Sequence, residues 1–174
     1  MYRTGWLNSN IKKLRNPKKV SQSQPSITWP LYKMERKVVF GSRCTENVLS
    51  NFCPGSLKFE GIEFQCPESM FQGLKALWSS EPQKLREIAC MDCYQARKAG
   101  RRLRDLDISE WNKVSVTVMR MVIRERWKQH PEFRRRVQNY AKHNCYLYHF
   151  DRNPKKSFWG GENNMLGKLI MEYY

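Results

Sequence analysis

Glu68, Gln72 and Lys75 stand at i, i+4 and i+7, so a helix through them lines up a carboxylate, an amide and an ammonium on one polar edge. An isolated carboxylate in such a setting can stabilise developing positive charge and activate water. An acid in the first turn also complements the helix dipole by roughly 0.3 to 1 kcal/mol, a role that needs no chemistry. We take this edge as the candidate site. Gly73 beside it adds weight, because a mid-helix glycine is up to about 1 kcal/mol worse than alanine and marks a close approach by backbone or ligand.

The elements that must position this edge follow from hydrophobic period. Ile62 and Phe64 alternate with Glu63 and Gln65 as a half-buried strand would. Pro67 then opens a helix at no hydrogen-bond loss, and Met70, Phe71, Leu74, Leu77 and Trp78 give that helix a wide apolar face. Upstream, KVVF (37–40) reads as a strand, a turn-rich stretch holds Asn51 and Phe52, and LKF and IEF form a hairpin joined through Glu60 and Gly61.

Downstream the pattern is helical. Ser80 with Gln83 and Asp92 with Gln95 have capping-box spacing, which predicts two short helices ending near Gly100. Ser109 is the expected cap of a long helix with Trp111, Val114, Val118, Met121 and Val122 on its apolar face. Pro131 starts the next helix, with Phe133, Val137, Tyr140 and Ala141 inward. CYLYHFD (145–151) alternates as a returning strand, and a loop leads to a last helix with Leu166, Leu169, Ile170 and Tyr173 toward the core and Asn163 as its cap. Gly160 and Gly161 before that helix offer backbone N–H groups to an anion.

Composition bounds the partners. The chain has 174 residues, enough for one domain with a real core, preceded by a basic stretch of about 35 residues (1–35) with no sustained period. Within it, Lys12, Lys13, Arg15, Lys18 and Lys19 could touch nucleic acid or simply stay solvated, and Trp6 and Trp29 suggest that parts dock on the domain. Lysine and arginine number 32 against 16 acids, a net charge of +16 that draws phosphates or nucleic acid. The densest patch is Arg97, Lys98, Arg101, Arg102 and Arg104, either a solvated helix end or a phosphate contact; Arg120, Arg124, Arg126 and Lys128 add further charge. Six cysteines lack the density of a disulfide scaffold, and the single C-x-x-C of Cys90 and Cys93 lacks the second ligand pair of a structural zinc, so no metal is expected. No leader or membrane-length apolar run is present, which points to a soluble, cytoplasmic protein with no membrane partner.

Three blocks in order, LSNF (49–52), PESMFQGLK (67–75) and FWGGENNMLGKLIM (158–171), resemble the NADAR family of YbiA-like N-glycosidases over residues 38 to 174. The resemblance implies a single α+β domain, mainly helical with a small β-sheet, over residues 36–174. It also implies hydrolysis of N-glycosidic bonds of ribose phosphates or ADP-ribose without a cofactor. The family's catalytic glutamate falls on Glu68, but the histidine that follows it is Ser69 here, and the aspartate three residues before W-G is Lys156. The glycine-rich loop shortens to Gly161–Asn163, while Asn164, Leu166 and Gly167 keep the N-x-L-G element.

Cleavage at the anomeric carbon passes through an oxocarbenium-like state. Glu68 is expected to stabilise that charge and activate water. Asp151, with Glu162 behind it, is expected to protonate the leaving base or orient the water. Gln72, Lys75 and Asn51 would hold ribose hydroxyls or phosphate, Trp159 or Trp111 would stack on the base, and Phe52, Gly160 and Asn164 complete the expected substrate set. Three functions fit: disposal of reactive ribosylamine phosphates of riboflavin biosynthesis, removal of ADP-ribose from nucleic-acid bases or hydrolysis of an NAD-like metabolite, and a non-catalytic module that binds ADP-ribose or nucleic acid.

Overall fold

The computed structural model describes residues 36–41 and 48–174. The basic stretch 1–35, with Trp6 and Trp29, lies outside them. The elements in order are β1 (Arg36–Phe40), β2 (Leu57–Phe59), β3 (Ile62–Phe64), α1 (Pro67–Lys75), a single 3₁₀ turn (Ala76–Trp78), α2 (Lys84–Ala89), α3 (Cys93–Arg101), α4 (Ile108–Gln129), α5 (Pro131–Lys142), β4 (Cys145–His149) and α6 (Met165–Met171). The mainly helical α+β class expected from the sequence is what forms. No helix among the described residues is long and apolar enough to cross a membrane.

The small sheet is two separate pairs. β2 and β3 form an antiparallel hairpin whose two turn residues, Glu60 and Gly61, both have positive φ, the geometry that matches strand twist. β1 lies parallel to β4, with Arg36 opposite Cys145 and Phe40 opposite His149. A parallel pair needs a long crossover, and here it is the whole helical body.

At the centre stands α1, buried from Pro67 to Leu74 and packed against α2, α3 and α4. Its N-cap is a reciprocal box: the Ser69 N–H donates to Cys66 Sγ, and the Cys66 N–H donates to Ser69 Oγ. Gly73 is explained by packing, since a methyl there would meet the Leu85 carbonyl and the Phe64 ring at 3.3 and 3.2 Å. It marks a backbone approach by α2, not a ligand.

Several expected details differ. Ser80 and Gln83 do not form a capping box. The Ser80 hydroxyl donates to the Arg104 carbonyl, and α2 starts only at Lys84 because buried Glu81, held by Lys84 and Arg104, organises the preceding turn. α4 begins one residue before Ser109, with Asp107 as cap accepting from the Glu110 N–H at 3.0 Å. Its buried face runs through Met119 and Ile123, with Met121 only half-buried. Arg126 is no surface charge: it is 2% exposed, lies over the Phe133 ring at 4.4 Å, and donates to the carbonyls of Val48 and Leu49. Asn164, in a left-handed conformation, precedes α6 in place of Asn163, whose side chain donates to the Ser157 carbonyl.

Candidate active site

The first turn of α1 carries Glu68, only 7% exposed. Its N–H donates to the Asn51 carbonyl at 3.1 Å, so the LSNF loop sits on the helix start. The side chain of Ser69, where the family resemblance leads one to expect histidine, is consumed by the helix cap and is fully buried. One turn on, Gln72 Nε2 donates to Glu68 Oε1 at 2.9 Å, while the other carboxylate oxygen opens on a cleft of about 260 Å³. Burial raises the Glu68 pKa. The Gln72 bond and the nearby charges of Arg97, Arg101 and Lys75 oppose that rise without cancelling it.

Lys75 closes the polar edge. Its ammonium donates to the Gly100 carbonyl on α3 at 3.0 Å, and burial lowers its pKa. The two helices approach so closely that a methyl on Gly100 would lie 2.0 Å from Gln72 Oε1. This is why the i, i+4, i+7 row is buried against a neighbour instead of facing water. From α3, Arg97 and Arg101 reach the cleft, and Arg97 lies 5.5 Å over the Phe52 ring. Asn51 lines the cleft beside Met119, whose sulfur accepts from Asn51 Nδ2 at 3.4 Å.

The opposite wall comes from the end of β4 and the loop after it. Asp151 reaches the cleft, but its own loop occupies both oxygens: Oδ1 accepts from the Asn153 N–H and Oδ2 from the Ser157 hydroxyl. These hydrogen bonds, the Asn153 one first, hold its pKa below the usual carboxylate range. Glu162 is exposed and lies outside the cleft. Trp159 and Trp111 both line it and both touch Phe71, with ring centroids 5.4 and 5.2 Å away. Trp111 also packs on Trp78 and is 7% exposed, so it is wall and core at once.

Two expected site residues do not reach the cleft. Asn164 is a buried pin: its oxygen accepts from the His149 N–H, and its amide donates to the Leu147 carbonyl and the Tyr146 hydroxyl. The Gly160 N–H donates to Ser157 Oγ and the Gly161 N–H to the His149 carbonyl, so neither is free for an anion. The reading of single residues also missed His149, whose ring lines the cleft. The signal was present: Cys145, Leu147 and His149 share one face of an alternating strand, and the first two are core.

A second cavity of about 760 Å³ adjoins the first and shares Arg97, Arg101 and Asp151 with it. Lys98, Arg102 and Arg152 line it too, together with the exposed side chains of Tyr94 and Phe150. Arg97, Lys98, Arg101 and Arg102 of the basic patch thus line the two cavities, whereas Arg104 pairs with Glu81 instead.

Fold and cleft together define a small α+β domain that buries a carboxylate beside a cleft lined by Lys75, Arg97 and Arg101. The chain belongs to the NADAR family: the NADAR domain profile matches residues 32–173. It is similar in structure to the E. coli protein YbiA, determined by NMR, with a TM-score of 0.66 and 27% identity over 80% of this chain and 83% of that one. No curated protein sequence matches it significantly.

Proposed function

We propose that the chain is an N-glycosidase that hydrolyses the bond between ribose and nitrogen in ribosylamine phosphates, disposing of reactive intermediates of riboflavin biosynthesis. The observation that carries this reading is the Glu68 carboxylate, buried, bonded by Gln72 on one oxygen and open to a cleft bordered by Arg97 and Arg101. The cations suit a ribose phosphate. The electrostatics favour exchanging the roles expected of the two acids. Glu68, with its raised pKa, suits a proton donor to the departing nitrogen, whereas Asp151, held ionised, suits stabilisation of the oxocarbenium-like state. Asn51 would hold a ribose hydroxyl and Trp159 would flank the base, while Gln72, its amide nitrogen on Glu68 and its oxygen buried against α3, orients the carboxylate.

A second reading keeps the chemistry and enlarges the substrate to an ADP-ribosyl group on a nucleic-acid base. The adjoining cavity favours it, lined by cations and by the exposed rings of Tyr94 and Phe150. The test is release of free base or amine, followed by chromatography, from ribosylamine phosphates, ADP-ribosylated DNA and NAD in parallel. Turnover of one substrate that vanishes in Glu68→Gln supports glycosidase action and names the substrate. No turnover of any, with salt-sensitive binding unchanged in Glu68→Gln, would leave a binding module instead.

A further inference from the structure

His149 occupies the end of β4, where the inner face of the strand leaves the core and enters the cleft. Its backbone is fixed on both sides: the N–H donates to Asn164 Oδ1 at 2.8 Å and the carbonyl accepts from the Gly161 N–H at 3.0 Å. The ring packs on Phe40 of the paired strand, with centroids 5.2 Å apart. Nδ1 is enclosed, with Gly160 packed so tightly against it that a methyl there would lie at 2.7 Å. Nε2 is not enclosed in this way, which leaves it the ring nitrogen with access to the cleft that His149 lines.

This matters because neither carboxylate of the cleft suits the role of base. Asp151 has both oxygens engaged by its own loop and is a much weaker base than a neutral imidazole. Glu68 is the group that suits a proton donor. We propose that His149 Nε2 is the general base that takes a proton from the attacking water, an assignment that rests on the glycosidase reading above. In the step, the water oxygen bonds to the anomeric carbon as the carbon–nitrogen bond breaks. The electron pair of that bond goes to the nitrogen, which receives the Glu68 proton, and the water proton goes to Nε2. The products are the ribose phosphate and the free base or amine. Solvent then takes the proton from the imidazolium and returns one to the Glu68 carboxylate.

The environment of the ring supports the assignment. Burial is the largest influence and lowers the His149 pKa, keeping the imidazole neutral at neutral pH. The Trp159 carbonyl and Asp151, on the following loop, act in the opposite sense, and Arg97 on α3 acts with burial; β1 presents only the Phe40 ring.

The experiment compares wild type, Glu68→Gln, His149→Gln and His149→Ala for base release from a ribosylamine phosphate between pH 4 and 9, with melting curves as a fold check. Wild-type turnover lost in Glu68→Gln establishes the underlying reading. The proposal then expects His149→Gln to lose about 10²- to 10⁴-fold in kcat with KM little changed, and to lose the acidic limb of its kcat/KM profile. It also expects added imidazole to restore part of the His149→Ala rate. A folded His149→Gln that works within a few-fold of wild type and keeps the acidic limb overturns the role of His149 alone. If His149→Ala fails to fold, the Gln variant decides. Absence of base release by wild type from every substrate overturns both readings together.

Discussion

Gly100→Ala isolates the contact between α1 and α3 that holds the candidate edge of Glu68 and Gln72. The added methyl would lie 2.0 Å from Gln72 Oε1, 2.7 Å from Cδ and 3.1 Å from Cβ, so Gln72 must swing away even if the helices stay in place. Swinging away breaks the bond from Gln72 Nε2 to Glu68 and leaves a buried polar group unpaired, which costs about 1–3 kcal/mol. We expect a net loss near 2 kcal/mol, read as a fall of roughly 4–8 °C in Tm. Base release should suffer more, by about 10²-fold, because Glu68 loses the group that orients it. The decisive assay is a double-mutant cycle with Gln72→Ala, melted and assayed in parallel. With Gln72 truncated the contacts with Oε1 and Cδ disappear and only the tight 3.1 Å contact with Cβ remains, so the second substitution should add much less, giving a coupling of roughly 0.5–3 kcal/mol. Additive melting shifts, or a Gly100→Ala variant of wild-type stability and activity, would refute the contact as the device that positions Glu68.

Burial that raises the Glu68 pKa favours the protonated form in the folded state, a stabilisation present below the ordinary carboxylate pKa and lost as pH rises through the folded value. Glu68→Gln is therefore expected to melt above wild type at pH 8, with the gap closing below about pH 4; a lower melting point at pH 8 would contradict this. Glu81 behaves oppositely: Lys84 and Arg104 hold its pKa at about 2, so its contribution is present at neutral pH and fades as pH falls through the window from roughly 4.3 to 2. Acid titration of Glu81→Gln should show a flatter loss in that range. Arg126→Ala strips two carbonyls of their donor and leaves a cavity, an expected loss of roughly 3 kcal/mol by chemical denaturation. Its base release should fall too, since Val48 and Leu49 begin the loop that carries Asn51.

What was legible in the sequence is what local pattern dictates. The strand alternation at Ile62 and Phe64, the proline start of α1, and the Asp92–Gln95 box all form as their residue types require. The polar row on α1 was legible for the same reason, since helical spacing alone aligns Glu68, Gln72 and Lys75. Long-range pairing was not legible. Nothing local in Arg126 says that its charge would be used on two backbone carbonyls far upstream. Nothing in the two glycines before α6 says that their N–H groups would be taken by Ser157 and His149. Arg97 and Arg101 read as a surface patch until α3 is docked on α1 at Gly100. Ser80, Ser109 and Asn163 failed as caps because neighbouring groups, buried Glu81 and Asp107 among them, competed for the same helix starts.

The parallel pairing of β1 with β4 also sets a timetable. Glu68 and its helix leave the ribosome well before β4, and at roughly 5–20 residues per second the delay is several seconds. Until β4 finds β1, Asp151, Trp159 and His149 have no scaffold to hold them across from the carboxylate. The helical body could settle first, but a nascent chain stopped before Cys145 would expose a lone buried acid on an unfinished wall and turn over nothing. The complete cleft would arrive as a late, single event, and the proposed base release would report that the two distant strands have met.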